Sequence, residues 1–292
     1  MSAPLPVDLS IVIVTWNSAP YLAACLESVR KSGGSGFINA PEIYMVDNAS
    51  ADNSVALVRA EFPEVRLIAN AQNRGFATAV NQGVAACTGT YILLLNPDTQ
   101  VFSDTVATLI ATLEDHPNAA VCAPLLQNLD GSPQFNWARF PNWRSELRGR
   151  LDRSQSPYPL ENFSHAQQRT KMTPFAVDWV GGACFLVRRS ALFGASGVGP
   201  MDERFFLYFE ETDWCLRLRR AGWETLLVPA VTAVHAGGHS SSRIPRTARR
   251  YLWQSGVQFF RKWYGAEGGL AMVLSTLRYL LSGFKYRETG TE

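Results

Sequence analysis

Tyr91-Ile92-Leu93-Leu94-Leu95-Asn96-Pro97-Asp98-Thr99 is a short unbroken apolar run that stops at a polar turn holding one carboxylate. An apolar run of this length, bounded by turn residues, predicts a strand buried on both faces. In an open parallel sheet, ligands bind beyond the carboxyl ends of the strands, so Asp98 falls where a ligand would sit. Taken alone, Asn-Pro-Asp-Thr is also good turn and helix-start chemistry, and the plain turn is the simpler reading. The flanking chain decides between them.

Upstream, the same unit recurs. Leu9 to Thr15 is a β-branched run that stops at Trp16-Asn17-Ser18, where Ser18 can cap a helix from about Ala19 to Arg30. Ser32-Gly33-Gly34-Ser35-Gly36 reads as a flexible loop. Glu42 to Val46 ends in Asp47-Asn48-Ala49-Ser50 and leads to a helix closing near Glu61. Val65 to Ala69 ends at Asn70, and Asn73-Arg74-Gly75-Phe76 opens a helix to about Cys87. Strand and helix alternating four times in about a hundred residues predict a mostly parallel α/β sheet with helices on both faces. Four strands then end in short polar residues on one rim, which favours a ligand crevice over surface turns. Neither a dinucleotide-binding glycine fingerprint nor a phosphate-binding P-loop follows any strand.

Downstream, Ser103 or Asp104 caps a helix to about Asp115, Ala119 to Ala123 is a strand, and Asp130-Gly131 marks a hairpin. Residues 136–178 are rich in Arg, Pro, Ser, Gln and aromatics with weak periodicity, and read as a substrate lid or acceptor-side loop insertion. Trp179 to Val187 reads as a strand whose Gly181-Gly182 marks either a ligand approach or a bulge. Asp202 to Asp213 then drives an aromatic segment, Phe205-Phe206-Leu207-Tyr208-Phe209, into Glu210, Glu211 and Asp213 at the start of a helix. Acids in a first turn complement the helix dipole. Two adjacent Glu residues behind an aromatic wall ask for more, because burial raises a carboxylate's pKa and suits it to proton transfer. Gly222 ends that helix, and His235 closes the strand pattern that follows. A lone His there is most often structural, but it can complete the shell of a cation held at Asp98.

The 292-residue chain is 47% hydrophobic, ample for a substantial core, and its net charge of +2 gives no case for nucleic acid. Five dispersed cysteines predict buried reduced thiols of a cytosolic protein, not a disulfide framework. Met1 to Asp8 lacks the pattern of a signal peptide, and no apolar run reaches membrane-spanning length.

Thr15-Trp16-Asn17, Val46 to Asp52, Asn73-Arg74-Gly75-Phe76-Ala77, Leu95-Asn96-Pro97-Asp98, Trp179-Val180-Gly181-Gly182-Ala183, Phe205 to Asp213 and His235 occur in an order that resembles the inverting family-2 glycosyltransferases of the GT-A fold, in particular their rhamnosyltransferase-like branch. The resemblance covers about residues 9 to 240. It implies a Rossmann-like GT-A domain over 1–240 and a donor that is a nucleotide-diphosphate sugar, dTDP- or UDP-linked, with L-rhamnose from dTDP-rhamnose the best guess. It implies that Thr15, Asn17, Asp47, Arg74, Asn96, Asp98 and Gly182 line the donor, with Asp47 on the pyrimidine. Asp98 and His235 would hold Mg²⁺ or Mn²⁺, Glu211 would be the catalytic base, and Trp179, Glu210 and Asp213 would stand on the acceptor side. Two positions depart from the family pattern. Asn96 replaces the first Asp of Asp-x-Asp, and Glu210-Glu211 replaces Glu-Asp, which lengthens the base by one methylene and makes Asp213 the reserve candidate.

The chemistry of such a transfer agrees with the residues. A hard cation stabilises a leaving diphosphate, a carboxylate opposite takes the acceptor's proton, and no enzyme nucleophile is required. The acceptor implied is a hydroxyl of a cell-envelope glycan or a polyprenyl-linked one. A sugar nucleotidyltransferase would usually carry a glycine-rich basic loop after the first strand, where Thr15-Trp16-Asn17 stands. A non-catalytic glycan-binding relative would not need Asp98, Glu211 and His235. From Ser241 the chain becomes basic and helical, a tail over 241–292 in which Arg residues flank aromatics. It reads equally as cover for the sheet, as a homodimer interface, or as a peripheral contact with anionic lipid at the inner face of the plasma membrane.

Overall fold

The computed structural model describes residues 8–33, 40–148, 153–237 and 246–282. The glycine loop beyond residue 33, the segment before Asp8, and Arg243, Lys285, Tyr286 and Arg287 of the tail lie outside them.

The first half runs β1 (Leu9–Thr15), α1 (Ala19–Gly33), β2 (Glu42–Asp47), α2 (Ser54–Glu61), β3 (Arg66–Ala69), α3 (Phe76–Ala86), β4 (Tyr91–Leu95), β5 (Thr99–Val101), α4 (Thr105–Asp115) and β6 (Ala119–Gln127). Short elements follow: β7 (Pro133–Gln134), β8 (Trp137–Ala138), α5 (Trp143–Arg148), a 3₁₀ turn at Leu160–Ser164, α6 (Ala166–Arg169), β9 (Phe175–Val177) and β10 (Trp179–Val180). The chain closes with β11 (Cys184–Arg188), α7 (Ser190–Phe193), α8 (Glu210–Arg220), β12 (Glu224–His235), α9 (Arg246–Trp263) and α10 (Gly265–Ser282).

The main sheet is ordered β3-β2-β1-β4-β11-β6-β12-β5, with β7 on β6 and β9 on β12. β1 pairs parallel with both β2 and β4, as alternating strands and helices require. β11 enters antiparallel between β4 and β6, so the sheet is mixed in its second half. The five-residue run of β4 is explained by two cores. Tyr91, Leu93 and Leu95 pack with Leu22, Leu26, Leu109 and Leu113 on one face. Ile92 and Leu94 pack with Val80, Val84, Trp214 and Leu218 on the other. Strand side chains alternate between faces, so a strand covered on both sides must be apolar at every position. All five cysteines are buried and free, as expected.

Three local expectations change. The N-terminus of α1 is capped from across the rim, because the Ala19 N–H donates to Asp52 Oδ2 at 2.9 Å while the Ser18 hydroxyl turns back to the Trp16 carbonyl. Gly181-Gly182 lies in no strand. It separates β10, which pairs with β8 in a two-stranded sheet, from β11 in the main sheet. In segment 136–178, Trp137, Phe163 and Phe175 do not form an exposed lid surface; they pack into the second core with mutually tilted and edge-on rings.

Candidate active site

The carboxyl ends of β1 and β2 are stitched together by their own loops. The Asn48 N–H donates to the Thr15 carbonyl at 2.8 Å, the Ser50 N–H to Asp47 Oδ2 at 3.0 Å, and the Ala51 N–H to Asn17 Oδ1 at 2.7 Å. Two non-glycine residues here, Asn17 (φ 53°) and Ala49 (φ 63°), hold left-handed backbone. Such residues persist only where the surroundings over-determine them, and they concentrate at functional sites. Thr15 Oγ1 and Asp47 Oδ1 are buried without a partner. A buried acceptor left unpaired costs free energy, so both are poised for a ligand's donor groups.

Asn48, quoted in the sequence motif but given no role, is the hub of the next loop. Its Nδ2 donates to the Gly75 carbonyl at 3.0 Å, and its Oδ1 accepts from Asn70 Nδ2 at 3.0 Å and from the Arg74 N–H at 3.4 Å. Arg74 is thereby held at the rim with its side chain exposed. Gly75 has φ 85°, and a Cβ there would meet the Phe206 carbonyl oxygen at 2.7 Å. The Phe76 N–H donates to that same oxygen at 2.7 Å, so the Arg74 loop is docked onto the aromatic segment.

Asn96-Pro97-Asp98-Thr99 is both a turn and part of the site. The Thr99 N–H donates to the Asn96 carbonyl at 3.1 Å, and the Asn96 N–H to the Ala183 carbonyl at 2.9 Å. β5 then pairs antiparallel with the end of β12, His235 opposite Thr99, which brings His235 Nε2 to 3.4 Å from Asp98 Oδ1. The tautomer of His235 is fixed by Gln134. The Gln134 nitrogen donates to the His235 backbone carbonyl at 2.7 Å, an oxygen that can only accept, so its Oε1 faces His235 Nδ1 at 2.9 Å. Nδ1 therefore carries the hydrogen, and in the neutral imidazole the Nε2 lone pair faces a carboxylate oxygen. Two acceptors turned toward each other fit a cation between them, with Gln134 orienting the imidazole from behind. Gly237 closes the cradle, since a Cβ there would lie 2.3 Å from Asp98 Oδ2. Among the described residues, no group of three or more His, Cys, Asp or Glu side chains gathers as a complete metal site.

Glu210 and Glu211 open α8 after Tyr208 (φ 70°) and Phe209 (φ 69°), two consecutive aromatics in left-handed backbone. Burial raises the pKa of both carboxyls. Glu210 is raised well above the usual range, by burial and then by the charge of Glu211. Glu211 is held down by the N–H groups of its own helix turn and of Gly182. Of the pair, Glu210 is pushed up further, by burial and by the charge of Glu211, and one carboxylate oxygen of each is buried without a partner. Sequence reasoning placed Gly182 on the donor side; here its N–H faces the Glu211 carboxylate.

Asp213 has a different setting from the one expected on the acceptor side. It is wholly buried, with Oδ1 taken by Trp263 Nε1 and Lys262 Nζ, each at 2.7 Å, and Oδ2 by Arg217 Nε at 3.0 Å. Trp179, also expected on the acceptor side, is partly buried, and its indole donates to the Arg139 carbonyl at 3.0 Å.

The sequence pattern described as glycosyl transferase family 2 matches residues 10–193. The chain is 30% identical, over 81% of its length and 78% of the relative's, to an N-acetylglucosaminyl-diphospho-decaprenol L-rhamnosyltransferase of Mycobacterium tuberculosis. This chain belongs to glycosyl transferase family 2. A rhamnosyltransferase of Escherichia coli is 27% identical over 59% of this chain and 62% of its own. The fold is that of the GT-A glycosyltransferases: a mannosyltransferase of Pyrobaculum calidifontis, solved with GDP-mannose and Mn²⁺, superimposes with a TM-score of 0.58 at 16% identity over 96% of this chain and 72% of that one.

As a glycosyltransferase of this family, the enzyme takes its sugar from a nucleotide donor. The region beyond residue 193, which the family pattern leaves unmatched, supplies Glu210, Glu211 and His235.

Proposed function

We propose that this glycosyltransferase moves L-rhamnose from dTDP-rhamnose, with inversion, onto a hydroxyl of a polyprenyl-linked glycan at the inner face of the plasma membrane. The names of the mycobacterial and E. coli relatives support the sugar, and the mycobacterial name supports the acceptor class. The observation that carries the chemistry is the division of two carboxylates. Asp98 faces the His235 imidazole nitrogen on the rim, while Glu211 is buried with one unpartnered oxygen at the start of α8.

The unpaired Asp47 Oδ1 accepts the imide N–H of the donor's pyrimidine, beside Thr15 and Asn17. Arg74 and Asn96 border the diphosphate. Asp98 and His235 hold Mg²⁺ or Mn²⁺, which when bound stabilises the charge of the departing diphosphate. Glu211 takes the proton of the acceptor hydroxyl as its oxygen bonds to the anomeric carbon and the sugar–phosphate bond breaks. Glu210 behind it has its pKa raised by burial and by the charge of Glu211, and Asp213 tethers α8. Segment 136–178 borders the acceptor side, and α9 and α10 brace it. Release of dTDP, assayed across a panel of dTDP- and UDP-sugars with a lipid-linked N-acetylglucosamine acceptor, tests the reading. Turnover should require dTDP-rhamnose and a divalent cation; preference for a UDP-sugar, or full turnover in chelator, would overturn it.

A further inference from the structure

The tail aromatics, which the sequence left between cover for the body and a lipid contact, are turned inward. Phe259 and Phe260 are buried, Tyr251 stacks on Phe206 at 4.5 Å, and Trp253 stacks on Tyr279 at 5.0 Å. The exposed apolar surface lies instead on α10. Leu270, Val273, Leu277, Leu280 and Leu281 follow helical spacing along one face and are 48–66% exposed. The opposite face of α10 is in use, with Ala271 buried and the Thr276 hydroxyl accepting from Trp253 Nε1 at 3.2 Å. A stripe of five half-exposed aliphatic side chains, with no charge among them, marks an interaction surface.

We propose that this face of α10 docks on an anionic lipid bilayer. Charge selects the occupant. Residues 241–292 carry nine Arg and Lys residues (243, 246, 249, 250, 261, 262, 278, 285 and 287) against three acids, Glu267, Glu288 and Glu292, and of the nine Lys262 and Arg278 pair with acids of the body. The pairing of Trp253 with Thr276 and Tyr279 makes α9 and α10 antiparallel, so the start of α9, with Arg249 and Arg250, lies beside the Leu280–Leu281 end of the stripe. An apolar face bordered by basic residues is the pattern of a helix lying in the interface of an anionic membrane. No helix among the described residues is long and apolar enough to cross a membrane, so α10 would lie on the bilayer. A second copy of the chain fits less well. Self-pairing would bring the same basic segments toward each other.

The docking face is tied to the transfer site. Ser255 of α9 donates its hydroxyl to the Leu207 carbonyl at 2.8 Å, three residues before Glu210. A bilayer under α10 therefore sets the height of Glu211 above the membrane. The inference stands on the surface itself and does not depend on which sugar is moved.

Flotation of the full chain with phosphatidylcholine vesicles, with and without phosphatidylglycerol, tests it. Binding should require the anionic lipid, weaken with salt, and fall about tenfold or more in Leu277→Glu/Leu281→Glu at unchanged melting temperature. If that variant fails to fold, Leu277→Ser/Leu281→Ser gives the same readout. Equal binding to neutral vesicles, no binding, or binding unchanged by the substitutions would overturn the proposal. So would a dimer by light scattering that the substitutions dissociate.

Discussion

The two sides of the transfer site are built in different ways. The nucleotide end of the donor rim is local. Asn17, Asp47, Ser50 and Asp52 lie close in sequence and are tied through the β1 and β2 loops, whereas Asp98 meets His235 only through the β5–β12 pairing. The acceptor side is held from a distance. The Phe206 carbonyl receives the Phe76 N–H, the Leu207 carbonyl receives the Ser255 hydroxyl, and Asp213 receives Lys262 and Trp263. Long-range contacts impose the left-handed backbone at Tyr208 and Phe209, which costs about 1–2 kcal/mol per residue. The comparison teaches that Glu211, the proposed base, sits on a helix braced by the tail, whereas the proposed nucleotide pocket is held by the sheet.

That contrast can be broken by substitution. The largest effect is expected at the base. Glu211→Gln should lower turnover about 10³-fold, equivalent to about 4 kcal/mol, with nucleotide binding retained; a steady-state assay of nucleotide release checks it. Next is the tether. Lys262→Met leaves the buried Asp213 with only Arg217 and Trp263 and should destabilise the fold by about 3 kcal/mol, read by urea unfolding. An unchanged midpoint would mean that the tail does not brace α8. Third is the imidazole's support. Gln134→Leu removes the acceptor for His235 Nδ1–H and should weaken divalent-cation binding about 10–100-fold, measured by metal titration of nucleotide affinity.

The smallest effect is a pH dependence. The folded pKa of Glu210 is raised, so the native state binds more protons than the unfolded one, and stability is lost as pH rises above the ordinary carboxylate value. Glu210→Gln removes that loss. Its melting temperature should exceed the wild type's at neutral pH and converge with it near about pH 4. A gap that persists in acid would contradict the raised pKa of Glu210.

The same contrast governs what could be read from the sequence. The strands and helices of the first hundred residues follow from apolar period and turn chemistry, and the rim rule then places Asp47 and Asp98. From the residues, His235 could be offered only as a conditional partner of Asp98 that the family pattern strengthened, because the pairing depends on β5 reaching β12 across 137 residues. Ser18 reads as a cap because local sequence favours it, yet Asp52 lies nearer the α1 amides once β2 is in place. Gly181-Gly182 reads as one strand because pattern alone does not reveal that its two ends belong to different sheets. Asp213 sits in the same acidic first turn as Glu211, and only the arrival of Lys262 and Trp263 separates their roles. The positive φ of Tyr208 and Phe209 has no sequence signal, since aromatics rarely adopt it.

The central claim is that Asp98 serves the donor and Glu211 the acceptor. Calorimetric titration of dTDP with and without Mg²⁺, run beside turnover for Asp98→Asn and Glu211→Gln, tests it most directly. Asp98→Asn should lose the metal-dependent part of nucleotide affinity, and Glu211→Gln should keep that affinity while losing turnover. Full turnover in Glu211→Gln, or metal-dependent affinity unchanged in Asp98→Asn, would contradict the account.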